Sequence, residues 1–199
     1  MLVIKQGYGE ETTGTLALVI ASTAVCMLIG VPLGIAAARR AWLYSGLRPV
    51  LDLMQTIPTF VYLIPALILF GLGMVPGLIA TVVFAIPAPV RLTRLGIVAT
   101  PKPLVEAAQA FGATRWQVLT KIELPWAAPQ IMAGLTQTIM LSLSMVVISA
   151  LVGASGLGVP VVRALNTVHV AKGFEAGLFL VILAIVLDRL LRTSGEDSA

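Results

Sequence analysis

The chain of 199 residues has little charge: Asp, Glu, Lys and Arg together make up 11% of it. Soluble domains carry about 25% charged residues. A surface this poor in charge, on a chain that is 58% hydrophobic, needs lipid rather than water as its main solvent. The sequence has one cysteine, Cys26, set inside an apolar run. That excludes an intrachain disulfide and leaves a small buried hydrophobe as its simplest reading. One histidine, His169, reads as a solvated loop residue, because a proton relay or metal site needs partners that the sequence does not provide. Aromatic residues amount to 6%, too few for an obvious aromatic cage. The net charge of +4 is spread between apolar runs and forms no basic stripe, so nucleic acid is not an expected partner. No cleavable secretory signal is evident: the first apolar run is too long for one, and Arg39–Arg40 flank its wrong side.

What the sequence does have is long apolar runs, with a mean hydropathy of +1.01. About 20 such residues make a helix long enough to cross a bilayer. Five candidates meet or approach that length, at roughly 15–38, 50–72, 75–90, 130–152 and 174–191. They do not alternate as barrel strands would, so the expectation is an all-α, polytopic helix bundle forming one transmembrane domain over 1–199. Arg39, Arg40 and Arg48 follow the first run; Arg91, Arg94, Lys102, Arg115 and Lys121 follow the third; Arg189 and Arg192 follow the fifth. These ten of the 13 basic residues share one side of a five-crossing chain, against Lys5, Arg163 and Lys172 on the other. The positive-inside rule then puts the N-terminus outside and the C-terminus in the cytoplasm.

Pro32, Pro58 and Pro65 fall inside runs and predict bends. Gly30, Gly34 and Gly134 permit close helix approach. Polar groups at membrane depth face partners or a path, which makes Thr56, Thr59, Tyr62, Gln137 and Ser142 candidates to line a translocation path. Thr138 and Ser144 share that depth, but hydroxyls readily bond carbonyls of their own helix, whereas the Gln137 amide is not satisfied so locally. The segment Gly153–Gly158 lacks the Lys-Ser/Thr of a phosphate loop and reads as an outer gate or a contact for an external protein.

The segment 91–129 is the expected cytoplasmic loop. Pro103 suits a helix start, Glu106 falls in the first turn, and Gly112 is a natural stop. A second short helix is expected over 113–123, with Trp116, Val118, Leu119 and Ile122 at helical spacing. Within this loop Glu106-Ala107-Ala108, then Gly112, then Ile122, Leu124 and Pro125, resemble the signature of binding-protein-dependent ABC importer permeases: Glu-Ala-Ala, three residues, Gly, nine residues, Ile-x-Leu-Pro. The resemblance implies that these seven residues belong to a coupling helix and its flank, docking on a cytoplasmic ATPase subunit that binds ATP and Mg, with no cofactor in this chain. It also implies an extracytoplasmic solute-binding protein and a second permease copy.

Longer stretches, DLMQTIPTFVYLIP (52–65), FAIPAPVRLTRLG (84–96) and MAGLTQTIMLSLSMVV (132–147), resemble permeases of the choline, glycine betaine and proline betaine subgroup. Choline with proline betaine fits slightly more closely than glycine betaine alone. Permeases of this subgroup carry further N-terminal helices before the segment matching Thr15. Opening at Met1 leaves a fragment, a shorter member or a separate gene product as alternatives. A different small solute, such as an amino acid, is the nearest alternative function. An ion-coupled transporter or channel is further away, because the runs hold almost no intramembrane charge. No nucleophile–base pair or metal cluster supports an enzyme.

Overall fold

A computed structural model describes residues 9–196, with side chains placed as far as residue 189. Lys5 and the side chain of Arg192 therefore lie outside the described residues. Every regular element among those residues is helical: α1 (Gly9–Arg39), α2 (Ala41–Thr56), α3 (Phe60–Phe70), α4 (Met74–Ala85), α5 (Pro87–Val98), α6 (Lys102–Ala110), α7 (Arg115–Val118), a π-turn (Leu119–Glu123), α8 (Leu124–Leu151), α9 (Gly158–Asn166) and α10 (Val170–Glu196). Four helical runs are long and apolar enough to cross a membrane, and the bent pair α2–α3 makes a possible fifth.

Contacts decide whether that pair crosses. Arg39, at the end of α1, meets Arg115 and Glu123, next to α6 and at the start of α8. At the opposite end of α8, Val152 accepts a hydrogen bond from Gly73 N, which lies between α3 and α4. The chain therefore travels from one end of the bundle to the other between Arg40 and Gly73, and α2–α3 together form one crossing. Thr15 of α1 is bonded to Leu157, which follows α8, so α1 also starts at the end away from α6. Five crossings result among the described residues.

The crossing bends by 87° because Pro58 has no amide proton and pushes Ile57 out of the helical region, to φ −69° and ψ 131°. By contrast Met74–Val98 runs on as one 25-residue span. The loop expected from residue 91 therefore begins only after Val98. The arginines that suggested an earlier boundary are spent on α2: Arg91 pairs with Asp52, and the Arg94 guanidinium lies 3.5 Å from the Tyr44 ring centre. Long basic side chains let a helix continue at the membrane edge while their heads find partners.

The second short helix expected at 113–123 is likewise no separate element: 115–151 forms a continuous helical run of 37 residues. Pro125 is accommodated because the wide π-turn lies over Lys121, whose carbonyl the proline ring would otherwise strike.

At the end away from α6, Gly153–Gly158 is not an open loop. Val152, Ala154, Gly156, Leu157 and Gly158 are buried. Thr15 Oγ1 accepts a hydrogen bond from Leu157 N at 2.8 Å. Gly156, at φ +142°, passes so close to Thr15 that a Cβ there would lie 2.7 Å from Thr15 Oγ1. The segment clasps α1 to α8 and leads into α9, which ends three residues before His169.

The bundle is centred on α1, α4, α5 and α8, where small residues set the spacing. A Cβ on Gly34 would lie 2.7 Å from Thr93 Cβ and 2.8 Å from Val90 O. Exposed apolar residues such as Leu28, Ile68 and Leu69 face outward, as expected where lipid is the solvent. Gly34→Val is expected to destabilise the folded protein by about 1–3 kcal/mol through overpacking. Gly46→Val, which meets nothing within 4 Å, serves as the control. Thermal unfolding of the two purified variants in detergent checks this, and equal midpoints would contradict the packing described.

Candidate functional site

Helix α6 stands apart from the bundle. None of its residues is buried, and Phe111, immediately after it, is 93% exposed. Its ends are nevertheless well fixed. Pro101 and Pro103 restrict the entry. At the exit Gly112 adopts φ +83°, and Ala113 N donates to Ala108 O at 3.0 Å, closing the last turn. Thr114 then starts the next helix with a capping box: Thr114 Oγ1 accepts from Gln117 N, and Thr114 N donates to Gln117 Oε1 at 2.7 Å. A stiff corner thus joins α6 to α7 and, through the π-turn, to α8.

The signature residues divide between these parts. Glu106, Ala107 and Gly112 are exposed and Ala108 is half-buried. Ile122 and Leu124 are half-buried at the root of α8, where Leu124 packs against the cluster of Ile97, Leu119 and Ala127. Pro125 is exposed directly after the π-turn. The sequence pattern therefore spans an outward-facing helix and the hinge that connects it to the membrane helix. Two open clefts, about 510 and 430 Å³, lie between α6 and the bundle. Both are lined by Arg39, Val105, Gln109 and Glu123, and the second also by Glu106.

The five path candidates are not brought into one site. Thr56 and Thr59 flank the break between α2 and α3, with Tyr62 one turn further on. The Tyr62 hydroxyl is enclosed without a hydrogen-bond partner, beside the cluster of Leu63, Ala80 and Met145. Gln137 is exposed on α8, in line with exposed Gln130 and Ser144 seven residues to either side. Ser142 is fully enclosed, and its hydroxyl accepts a 3.1 Å hydrogen bond from Ser22 Oγ, which gives it a role in helix contact. The polar line 130–137–144 and the contacts of Arg39 were missed in the sequence. A seven-residue spacing of Gln, Gln and Ser was the available signal for the first; nothing local signals the second.

A bundle of five crossings with one amphipathic helix held out at the end of its third span is the architecture of an importer's membrane-spanning subunit. The chain belongs to the family described as binding-protein-dependent transport system inner membrane component, which matches residues 30–194. It is 50% identical over 198 residues to the glycine betaine/carnitine transport permease protein GbuB of Listeria monocytogenes, covering 100% of this chain and 70% of that protein. It is 48% identical to the glycine betaine transport system permease protein OpuAB of Bacillus subtilis, over 96% of this chain and 67% of that one. It is 49% identical to the glycine betaine/proline betaine transport system permease protein ProW of Escherichia coli, over 96% of this chain and 54% of that one. Among solved structures, the inward-facing MetNI methionine ABC transporter superposes with a TM-score of 0.79 at 25% identity, over 90% of this chain and 92% of the other. An amino acid ABC transporter with histidines shares the fold, with a TM-score of 0.78 at 16% identity over 94% and 92%. The chain is accordingly an ABC importer permease, an inner-membrane transport component rather than an enzyme.

The exposure of α6 is directly testable. With Cys26, which is 0% exposed, replaced by serine, Ala107→Cys and Phe111→Cys are expected to react fully with a water-soluble maleimide on the folded protein. The wild type, with Cys26 alone, is expected to react only after denaturation. Protection of residues 107 and 111 in the isolated permease would show that α6 is packed away.

Proposed function

We propose that this permease imports glycine betaine and related quaternary amines across the cytoplasmic membrane, powered by ATP hydrolysis in a partner subunit. The single observation that carries this reading is the complete, correctly spaced coupling signature, its Glu106-Ala107-Ala108 part on an exposed helix, in a chain about half identical to permeases named for glycine betaine. Choline and proline betaine belong to the same proposed class, with glycine betaine foremost because all three of those relatives' names carry it. The amino acid importers resemble the chain at 25% identity or less and so inform the fold more than the solute.

In this reading Glu106, Ala107, Ala108 and Gly112 form the surface that enters a groove on the ATPase. The small alanines allow close approach, and Glu106 pairs at the rim. Ile122, Leu124 and Pro125 root that surface in α8. ATP and Mg are bound by the ATPase, an external binding protein delivers the solute, and a second copy of the permease completes the passage. Thr56, Thr59 and Tyr62 at the break, and Gln137 on the open face of α8, are the proposed lining of the path. Interrupted transmembrane helices leave polar backbone near the midplane where they border a cavity. The N-terminus lies outside and the C-terminus inside, supported by the concentration of Arg and Lys at the α6 end.

Reconstitution with a cognate ATPase subunit and a betaine-binding protein is expected to give ATP-dependent uptake of glycine betaine. Glu106→Lys and Gly112→Asp are each expected to lower uptake by at least about tenfold, the factor given by 1.4 kcal/mol of lost coupling. Membrane insertion is expected to be unchanged. Normal uptake by either variant would remove α6 from the coupling role. Uptake of an amino acid in place of betaine would overturn the substrate assignment.

A further inference from the structure

The 37-residue run from Arg115 to Leu151 contains its weak point close to the coupling helix, at the π-turn Leu119–Glu123. There Leu124 N reaches back to Leu119 O, one residue further than in an α-helix. The turn is therefore wider and less regular than its neighbours. Pro125, two residues past its end, removes a backbone donor. A displacement of α6 acting through α7 alone would tend to flex this segment instead of moving α8.

One side chain from another crossing bridges the segment. Arg39 Nη2 donates to the carbonyl of Arg115 at 2.8 Å, at the start of α7, a carbonyl that also accepts from Leu119 N, the first residue of the π-turn. It also reaches Glu123 Oε2 at 3.4 Å, at the end of the same turn. The Glu123 carboxylate is 17% exposed and the Arg39 side chain 35%, so the pair is partly withdrawn from water. Arg39 is the last residue of α1, and Arg40 after it is extended at φ −130° and ψ 98°, so the guanidinium sits at the tip of a long rigid helix. The clefts on this side separate α6 from the bundle, and Arg39 and Glu123 border both of them.

We propose that Arg39 is a positioning residue for transport: by bridging the π-turn from the first residue of α7 to the turn's last residue, it makes α1 and the α7–α8 run move together when α6 is displaced. The inference rests on the coupling role proposed above for α6. The contact is long, at 3.4 Å, and about a third of the Arg39 side chain meets water, so the pair adds little to stability. Its effect is geometric: with the grip closed, the wide turn is spanned from the start of α7 to Glu123, and the stroke reaches the contacts of α1 with α5 and α8. With the grip open, the stroke is absorbed in bending the turn.

The test uses the complete transporter in proteoliposomes, measuring solute taken up per ATP hydrolysed, with ATPase content normalised by co-purification. Arg39→Gln and Glu123→Gln are expected to lower that ratio by roughly 2- to 30-fold, the range for a residue on a coupling route, while the ATPase still co-purifies. The exchange Arg39→Glu with Glu123→Arg is expected to recover part of the loss, because the ion pair returns but the bond to the Arg115 carbonyl does not. An unchanged ratio in both single variants overturns the proposal. So does a reduced ratio that the exchange fails to improve, since a merely structural defect would not be repaired by reversed charges. A wild-type transporter without ATP-driven uptake would refute the functional reading itself, an outcome distinct from either of these.

Discussion

Lipid supplies no hydrogen bonds, and this constraint organises the molecule. Each backbone N–H and C=O within the bilayer has to be satisfied by the chain, which leaves helices as the form available to these long apolar runs. The same constraint governs the side chains. Thr81 and Thr138 donate to carbonyls four residues earlier in their own helices, at 2.8 and 2.7 Å. Ser22 bonds across to Ser142. Where local carbonyls accept from them, as at Thr81 and Thr138, hydroxyls are tolerated in the core, and such small polar residues act as spacers between closely packed helices.

The two ends of the bundle solve different mechanical problems. Away from α6, the segment 153–158 folds into the bundle and is stitched to Thr15, so that α1, α8 and α9 share one close-packed junction. Glycine is required there because the backbone approaches Thr15 and Val146 too closely for a Cβ. At the α6 end the arrangement is more open: two clefts, an exposed helix, and contacts made by long charged side chains beside the small cluster of Ile97, Leu119 and Ala127. A bundle anchored at one end and jointed at the other suits a device in which force enters at the jointed end.

Prolines mark the positions where the crossings depart from straight rods, but their effects differ with context. Pro32 lies inside α1 without ending it. Pro58 turns a crossing by 87°. Pro125 is absorbed by a π-turn and leaves the run continuous. A proline removes one donor and clashes with one carbonyl wherever it occurs. Whether the helix breaks, bends or widens depends on which neighbouring elements hold the segments on either side.

Much of this protein is legible along the chain. Charge scarcity and the length of the apolar runs specify a membrane helix bundle, because both report directly on the solvent each segment requires. The ends of α6 were also readable, since Pro103 and Gly112 act through their own backbone geometry. Boundaries at residues 91 and 123 were misread because arginine and proline look like interruptions until their partners are known: Asp52 and Tyr44 for the arginines, the widened turn for Pro125. The grip of Arg39 on Glu123 joins residues 84 positions apart, and Ser22 meets Ser142 across 120. Sequence by itself determined which segments prefer lipid and where the coupling signature lies, because those properties are local. Only the tertiary structure decided which helix ends meet, because that depends on how five crossings pack against one another.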